Sequence, residues 1–434
     1  MPKLLFLFVW LLWVSSLLAE APRPNIVLII SDDHAWTDYG FMGHPSIQTP
    51  NLDRLASQSL TFRRGYVTSS LCCPSLASII TGRYPHQHKV TSNDPPKPIE
   101  MTSAVFHRSA LFLEGREVMS RHLEKFPTLP SVLAKEGYLC LQTGKWWQGN
   151  YSRGGFTHGM TKGSRHGDEG LAIGRKTMQP ISDLMDEAAR EQKPFFVWYA
   201  PLMPHDPHTP PERLLAKYTA LTPSLHIARY WAMVEWFDET IGDLMKQLDD
   251  RGSSENTIVM YVADNGWIQD PNSPRFIDKS KQSQYDGGLR TPIMIRWPSR
   301  IEPRYSESMA QSIDFFPTLM NAIEMESSMI QLPGIDLLNN SLVNQRTIIF
   351  GECFTHDAVN LDVPSENLRW RWMIDGFQKL IVPFEKNESK AIFELYDLEK
   401  DPLESANLVE QFPDRVAELR LKLDSWWTPE SIKP

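Results

Sequence analysis

Residues 69–83 read SSLCCPSLASIITGR, which places two adjacent cysteines and a hydroxyl directly before an apolar, helix-compatible run. A helix that begins here would offer unpaired N–H groups and the positive end of its dipole to an anion. Cys72 or Cys73 would then be a soft nucleophile beside an anion-binding site. The alternative is that both cysteines pack as small hydrophobic side chains before an ordinary helix. This stretch alone leaves both interpretations open.

The composition of the 434-residue chain is that of an ordinary globular protein, with 41% hydrophobic and 22% charged residues. The chain is longer than a single hydrophobic core usually grows, so we expect one large domain and one smaller one. The net charge of -9 argues against nucleic acid as a partner, because binding to a phosphate backbone requires a basic face.

The N-terminal residues 1–21 differ in character from the rest of the chain. Lys3 precedes an apolar run, and Ala19-Glu20-Ala21 supplies a small-residue cleavage pattern, which together predict a secretory signal peptide. An uncleaved anchor is the alternative, but the apolar run is shorter than the roughly 20 residues that a spanning helix needs. We therefore expect a secreted or periplasmic protein with no membrane contact after cleavage.

The cysteine content does not indicate a disulfide scaffold, because four cysteines are few for so long a secreted chain. Cys72 and Cys73 are sequence neighbours, a spacing that strains disulfide geometry. At least one of the two therefore needs another explanation.

Four short apolar runs predict buried parallel strands. They cover residues 24–30, 138–143, 194–200 and 257–262. Between them, helical spacing or capping signals predict helices. The clearest helical segments are residues 127–136, 178–192 and 224–251. This alternation predicts an α/β domain.

Oxygen-bearing side chains follow two of these strands. Asp32 and Asp33 come after the first, and Asp264 and Asn265 come after the fourth. Ligand sites of open α/β sheets lie at the carboxyl ends of strands, and hard oxygen ligands suit calcium or magnesium. The first pair alone is compatible with a loop and an Asp N-cap. The second pair favours a single all-oxygen metal site.

A lysine and a histidine follow the other two predicted strands, at 138–143 and 194–200. Lys145 lies between glycines and beside Trp146 and Trp147. Its ammonium group lies either in a partly dry pocket, where a bound anion would balance its charge, or in an exposed turn. A proline-rich segment at 201–211 fixes the backbone around His205. Residues 150–175 are rich in glycine, histidine and charge, and we expect a long surface loop there.

The pattern changes after about residue 340. Short alternating strands and a final helix at 414–426 predict a small α+β unit with an antiparallel sheet. We therefore expect a signal peptide at 1–21, a catalytic domain at 22–340 and a C-terminal subdomain at 341–434.

Taken together, these motifs resemble the sulfatase family of the alkaline-phosphatase-like superfamily. The family signature is Cys or Ser, any residue, Pro, Ser, Arg, and then Thr-Gly-Arg at a fixed offset. The matching residues are Cys72, Pro74, Ser75, Thr81, Gly82 and Arg83. Flanking family motifs are matched at Asp32-Asp33, Gly144-Lys145-Trp146, Pro204-His205, Asp264-Asn265-Gly266, Lys281 with residues 285–288, and residues 395–402. The similarity extends from Asn25 to about Leu408.

The resemblance implies a large mixed, mostly parallel sheet flanked by helices, and a formylglycine made from Cys72, not Cys73, by a maturation enzyme. The hydrated aldehyde would attack sulfur, release the substrate alcohol and leave a covalent sulfate ester. Loss of a proton from the second hydroxyl would then expel sulfate and restore the aldehyde.

The resemblance also assigns roles to the flanking residues. One calcium ion would be held by Asp32, Asp33, Asp264 and Asn265. Lys145 and Lys281 would hold sulfate oxygens, and His205 would protonate the leaving alcohol.

Two positions depart from the family pattern. Leu76 stands where the family usually has arginine, and Trp147 where it usually has histidine. Candidate replacements are Arg83, His86, His158 and His166.

Three hypotheses are compatible with the sequence. We favour a sulfatase that acts on a sulfated carbohydrate or related ester, with Trp146 and Trp147 stacking on a sugar. The alternatives are a phosphatase or phosphonate hydrolase of the same superfamily and a non-catalytic binder of sulfated glycans.

Overall fold

The computed structural model describes residues 23–325 and 331–429. The predicted signal peptide lies outside the described residues. Within the described ranges, no helix combines the length and the apolar character needed to cross a membrane.

A mixed eight-stranded sheet forms the centre of the molecule. In spatial order its strands are β4 (His158–Gly159), β3 (Leu139–Gly144), β5 (Phe195–Ala200), β1 (Asn25–Ser31), β6 (Thr257–Ala263), β7 (Arg290–Arg296), β2 (Leu60–Tyr66) and β8 (Arg304–Gln311). Only β7 pairs antiparallel with its neighbours, and the other strands share one direction. The predicted mixed, mostly parallel sheet is confirmed.

The helices lie between and after these strands. They are α1 (Pro50–Ser57), α2 (Cys72–Thr81), α3 (Pro85–His88), α4 (Ser103–Phe106), α5 (Ala110–Leu123), α6 (Leu129–Lys135), α7 (Gln179–Glu191), α8 (Glu212–Thr219), α9 (Leu225–Asp250), α10 (Asp286–Leu289), α11 (Phe315–Ala322), α12 (Asn340–Gln345), α13 (Pro364–Asn367) and α14 (Pro413–Trp426).

The central strands are continuous apolar runs because both faces of the sheet are covered. Along β1, Ile26, Leu28 and Ile30 pack into one hydrophobic cluster. Val27 and Ile29 point to the opposite face and pack into a second cluster. Side chains alternate across a strand, so a strand with two buried faces needs apolar residues at every position.

A separate four-stranded antiparallel sheet comes later in the chain. It runs in the order β12 (Glu394–Asp397), β11 (Gln378–Pro383), β10 (Leu368–Asp375) and β9 (Ile348–Phe354), and α14 packs against it. This arrangement confirms the predicted small α+β unit.

The segment 150–175 is mostly irregular and partly exposed, as predicted for a surface loop, but part of it packs more closely than expected. It contains short 3₁₀ turns and β4, and its Gly167 and Gly170 are buried against the end of β3. A Cβ atom at Gly167 would lie 2.4 Å from the carbonyl oxygen of Gly144, and one at Gly170 would lie 2.6 Å from it. The glycines permit this close approach, so the segment forms a wall beside the strand ends.

A buried ion cluster joins the two sheets. The Nζ atom of Lys379, on β11, lies 2.9 Å from Asp286 Oδ1 and 2.8 Å from Glu404 Oε1. Asp286 begins α10, which leads directly into β7 of the large sheet. All three side chains are buried, so each charge depends on the others.

We expect Lys379→Met to lower the free energy of unfolding by about 3–5 kcal/mol, because it leaves Glu404 buried without a cation and Asp286 with only the more distant Arg290, at 4.0 Å. The exposed pair of Lys246 and Asp250 on α9 provides a matched control. Lys246→Met is expected to cost less than about 1 kcal/mol. Urea denaturation measures both, and equal losses would contradict the structural role of the cluster.

Candidate active site

The two predicted pairs of oxygen-bearing residues meet at one edge of the large sheet. β1 and β6 are parallel neighbours, with Ser31 opposite Ala263, so the residues that follow these two strands lie side by side. The backbone N–H of Asp33 donates to Asp264 Oδ1 at 3.1 Å. Asn265 Nδ2 donates to Asp33 Oδ1 at 2.6 Å. The parallel pairing of β1 and β6 therefore brings the four predicted oxygen-bearing residues together.

Two buried lysines accompany the carboxylates. Lys145, which follows β3, lies 2.6 Å from Asp32 Oδ1 and 3.7 Å from Asp264 Oδ2. Lys281 lies 2.6 Å from Asp33 Oδ1. Burial raises the pKa of Asp33, but Lys281 and its other cationic neighbours more than offset this and hold it below its usual value. The side chain of Lys145 is almost fully buried and does not lie in an exposed turn.

Cys72 is the first residue of α2 and lies against the same oxygen atoms. Its Sγ atom is 3.2 Å from Asn265 Oδ1 and 4.0 Å from both Asp32 Oδ1 and Asp33 Oδ1. Burial raises the pKa of the Cys72 thiol far above its usual value, even though Lys145 and Lys281 act in the opposite direction. The side chain is therefore a neutral thiol and a poor nucleophile.

Cys73 has different neighbours. Gln148 Nε2 lies 3.2 Å from Cys73 Sγ, and Arg116 Nη1 lies 3.9 Å from it. Neither of these contacts involves the carboxylates. Cys140 and Cys353 are also buried and free, so no disulfide joins the four cysteines.

His205 lies on the open side of the carboxylates. Its Nε2 atom is 3.5 Å from Asp33 Oδ2, and its Nδ1 atom is 3.0 Å from Asp206 Oδ1. Cys72, His205 and Lys281 line one cavity of about 400 Å³. A thiol, a histidine and a lysine thus face a space large enough for a small ligand.

Comparison with known proteins identifies the family of this arrangement. The family model described as Sulfatase matches residues 24–325, which contain the carboxylates, the lysines, Cys72 and His205 described above. The chain belongs to the sulfatase family. A second model, described as N-sulphoglucosamine sulphohydrolase, C-terminal, matches residues 275–426.

Named relatives agree with this assignment. The sulfatase is 31% identical over 381 residues to arylsulfatase A of Homo sapiens, a match that covers 75% of this chain and 69% of that protein. It is 29% identical over 405 residues to N-acetylgalactosamine-6-sulfatase of Mus musculus, covering 82% and 74%. The predicted sulfuric ester hydrolase is therefore confirmed.

Solved structures agree on the fold. One, in complex with its substrate D-glucosamine-2-N,6-O-disulfate, matches with a TM-score of 0.72 at 18% identity and covers 95% of this chain and 100% of that one. The phosphonate monoester hydrolase of Agrobacterium radiobacter matches with a TM-score of 0.66 at 17% identity, covering 93% and 95%. At these identities the likeness concerns the fold.

Trp147 is one of the two departures from the family pattern. In this sulfatase, its ring lies between two arginines and a histidine. The guanidinium carbons of Arg116 and Arg165 lie 5.1 Å and 5.0 Å from its ring centre, and the His166 ring lies 4.4 Å from it. Leu76, at the other departure, is buried in the hydrophobic core. The prediction that the tryptophans stack on a sugar is wrong, because Trp146 and Trp147 are only 2% and 4% exposed.

Of the four candidate replacements, only His166 lines the cavity of Cys72. Arg83 lies over the ring of Phe126, His86 pairs with Glu352, and His158 faces Glu187. These three side chains have structural partners elsewhere.

The cavity also contains residues that the sequence did not single out. Arg165 binds Asp94 through two short contacts and donates to His166 Nε2 at 2.8 Å. Asn93 Oδ1 accepts from the backbone N–H of Cys73 at 2.9 Å, near the start of α2. Arg116, on α5, does not line the cavity but donates to the Asn93 carbonyl at 2.8 Å. These residues come from segments with no recognisable motif, so no sequence signal pointed to them.

Proposed function

We propose that this sulfatase hydrolyses the sulfate ester of a carbohydrate or related alcohol, using a formylglycine formed from Cys72 and one calcium ion. The observation that carries the proposal is the convergence of Cys72 Sγ with the oxygen atoms of Asp32, Asp33 and Asn265, within 4.0 Å. Because the unmodified thiol is neutral and buried, oxidation to an aldehyde explains how this position becomes reactive.

The residues fit a calcium ion. Asp32 Oδ2 and Asp264 Oδ2 are buried and have no hydrogen-bond partner among the described residues. Buried carboxylate oxygens require a cation or a donor, and an all-oxygen set is the ligand type that calcium prefers. Asp32, Asp33, Asp264 and Asn265 would hold the ion, which would supply Lewis-acid polarisation of a sulfate oxygen.

Lys145 and Lys281 supply fixed positive charge at the same point. Both ammonium groups are buried, and each lies 2.6 Å from a carboxylate oxygen that fixes its position. Preorganised cations in a dry site stabilise developing negative charge more strongly than cations in water.

His205 is the proposed proton donor to the leaving alcohol. It lines the cavity, with Nδ1 3.0 Å from Asp206 Oδ1 and Nε2 3.5 Å from Asp33 Oδ2 at the proposed metal site. His166 is less suited to this role. Burial, followed by Lys145 and Arg165, lowers the pKa of His166 well below its usual value, so its imidazole is neutral.

The names of the relatives support a carbohydrate substrate. One relative is named N-acetylgalactosamine-6-sulfatase, and one structural neighbour was solved with a disulfated glucosamine as its substrate. We propose that the chain is exported and that a maturation enzyme oxidises Cys72 before or during export.

Sulfate release from 4-nitrophenyl sulfate and from the 6-sulfates of N-acetylgalactosamine and glucosamine tests this function. We expect release from the aryl ester and from at least one sugar ester. His205→Gln is expected to lower kcat on a sugar sulfate by about 10²–10⁴-fold, because a sugar alkoxide leaves only with a proton. The loss on 4-nitrophenyl sulfate is expected to be much smaller, since nitrophenolate is a good leaving group. If the matured protein released no sulfate from any of these esters, the proposed function would be contradicted. If His205→Gln lowered kcat equally on the sugar sulfate and on 4-nitrophenyl sulfate, His205 would not be the proton donor.

A further inference from the structure

Two cavities adjoin along one proline-rich wall. The cavity of Cys72 and a second cavity of about 410 Å³ are both lined by Asp206 and Pro207. Arg275 lines the first cavity, and its sequence neighbour Pro274 lines the second. Each volume is in the range of about 300–1,000 Å³ that is typical of ligand pockets. The two spaces therefore form adjacent compartments above the strand ends.

Each compartment contains an arginine without an ion pair. Arg275 lies on the loop between β6 and α10, and Arg229 lies near the start of α9. Both side chains are exposed, and within residues 23–325 and 331–429 neither forms a salt bridge. By contrast, Arg165 binds Asp94, and Arg213 binds Glu239. A free guanidinium that lines a cavity can bind a sulfate or carboxylate through two parallel hydrogen bonds.

Besides the arginine, the second cavity contains a half-buried histidine, a carboxylate and apolar side chains. Burial lowers the pKa of His208 to about 4, so its imidazole is neutral near pH 7. The carboxylate of Asp206 is engaged by His205 at 3.0 Å. Pro207, Pro210 and Leu215 add apolar surface, on which the carbon face of a sugar ring can rest.

We propose that the second cavity is a subsite for a neighbouring saccharide unit, with Arg229 and Arg275 binding anionic groups on that unit or its linkage. This inference rests on the proposed function and narrows its substrate class. The natural substrate is then an oligosaccharide that carries a second sulfate or carboxylate beside the ester that is cleaved.

The test compares the binding affinity of sulfated monosaccharides with that of sulfated tetrasaccharides. Binding of chondroitin sulfate and heparan sulfate tetrasaccharides, and of their sulfated monosaccharides, is measured by calorimetry on the full chain with calcium. Arg229→Ala is expected to weaken binding of the preferred tetrasaccharide by about 10-fold and to leave the monosaccharide unchanged. Arg229→Lys should restore part of the loss. Arg190→Ala, which removes an exposed helical arginine on α7 outside both cavities, is the matched control and should change neither affinity.

Arg275→Ala tests the junction between the cavities and is also expected to weaken the tetrasaccharide selectively. The inference is overturned if the wild-type protein binds tetrasaccharides no better than monosaccharides, or if Arg229→Ala leaves tetrasaccharide binding unchanged or weakens both ligands equally. Because the readout is binding, its result is separate from sulfate release. If the enzyme hydrolyses sugar sulfates but Arg229→Ala leaves tetrasaccharide binding unchanged, the proposed function stands and the subsite is rejected.

Discussion

Cys72→Ala is expected to abolish sulfate release, with a loss of at least about 10⁴-fold in kcat on 4-nitrophenyl sulfate. Cys72 is the cysteine whose Sγ atom lies against the oxygen atoms of the proposed calcium site. Removing it removes the proposed nucleophile and leaves the lysines and carboxylates in place. Initial rates of purified, matured protein measure the effect.

The adjacent cysteine provides the matched control for this experiment. Cys73 is equally buried in the same helix, but its sulfur contacts Gln148 and Arg116. We expect Cys73→Ala to retain activity within about tenfold of the wild-type protein, as a modest packing change. If Cys72→Ala kept full activity and Cys73→Ala had none, the nucleophile would derive from Cys73 and not from Cys72.

Asp33→Asn is expected to weaken calcium binding by about 10²-fold or more and to lower activity in parallel, because it removes one of three carboxylate charges from the site. The backbone at Asp33 has a φ of 62°, a conformation that asparagine tolerates well. The substitution therefore changes the charge with little backbone strain. Metal analysis of dialysed protein and recovery of activity on calcium addition measure the effect.

Asp38→Asn is the control for the calcium prediction. Asp38 is buried in the same segment, but burial raises its pKa to about 7, and its side chain accepts a hydrogen bond from Thr37 at 3.0 Å. This variant should bind calcium as the wild-type protein does. One calcium ion per chain and full activity in Asp33→Asn would show that the ligand assignment is wrong.

The sequence predicts the centre of the site because local patterns determine it. Runs such as residues 24–30 and 257–262 are recognisable as buried strands, and the carboxyl ends of parallel strands meet at one edge. The polar pairs after these strands are therefore predicted to lie together from residue types alone. The sequence of residues 69–83 also predicts that α2 begins near Cys72, but the residue that accepts from the Cys73 N–H there is the distant Asn93.

The surroundings of the site depend on contacts between distant segments. Arg116 reaches Trp147 from α5, and Lys379 reaches Asp286 from the second sheet. No local pattern of residue types encodes these distances. The strand β8 is also not predicted, because its sequence RYSESMAQ is polar and its first half is largely exposed at the sheet edge. The glycines of segment 150–175 indicated a loop, whereas they permit close packing on β3.

The most direct test of the account is the mass of the tryptic peptide of residues 65–83, which contains both Cys72 and Cys73. The protein is produced with a maturation enzyme, and its sulfate release is measured on the same sample. We predict an aldehyde at position 72 and an intact thiol at position 73, with specific activity proportional to the modified fraction. Full sulfatase activity in protein whose Cys72 is entirely an unmodified thiol would contradict the account.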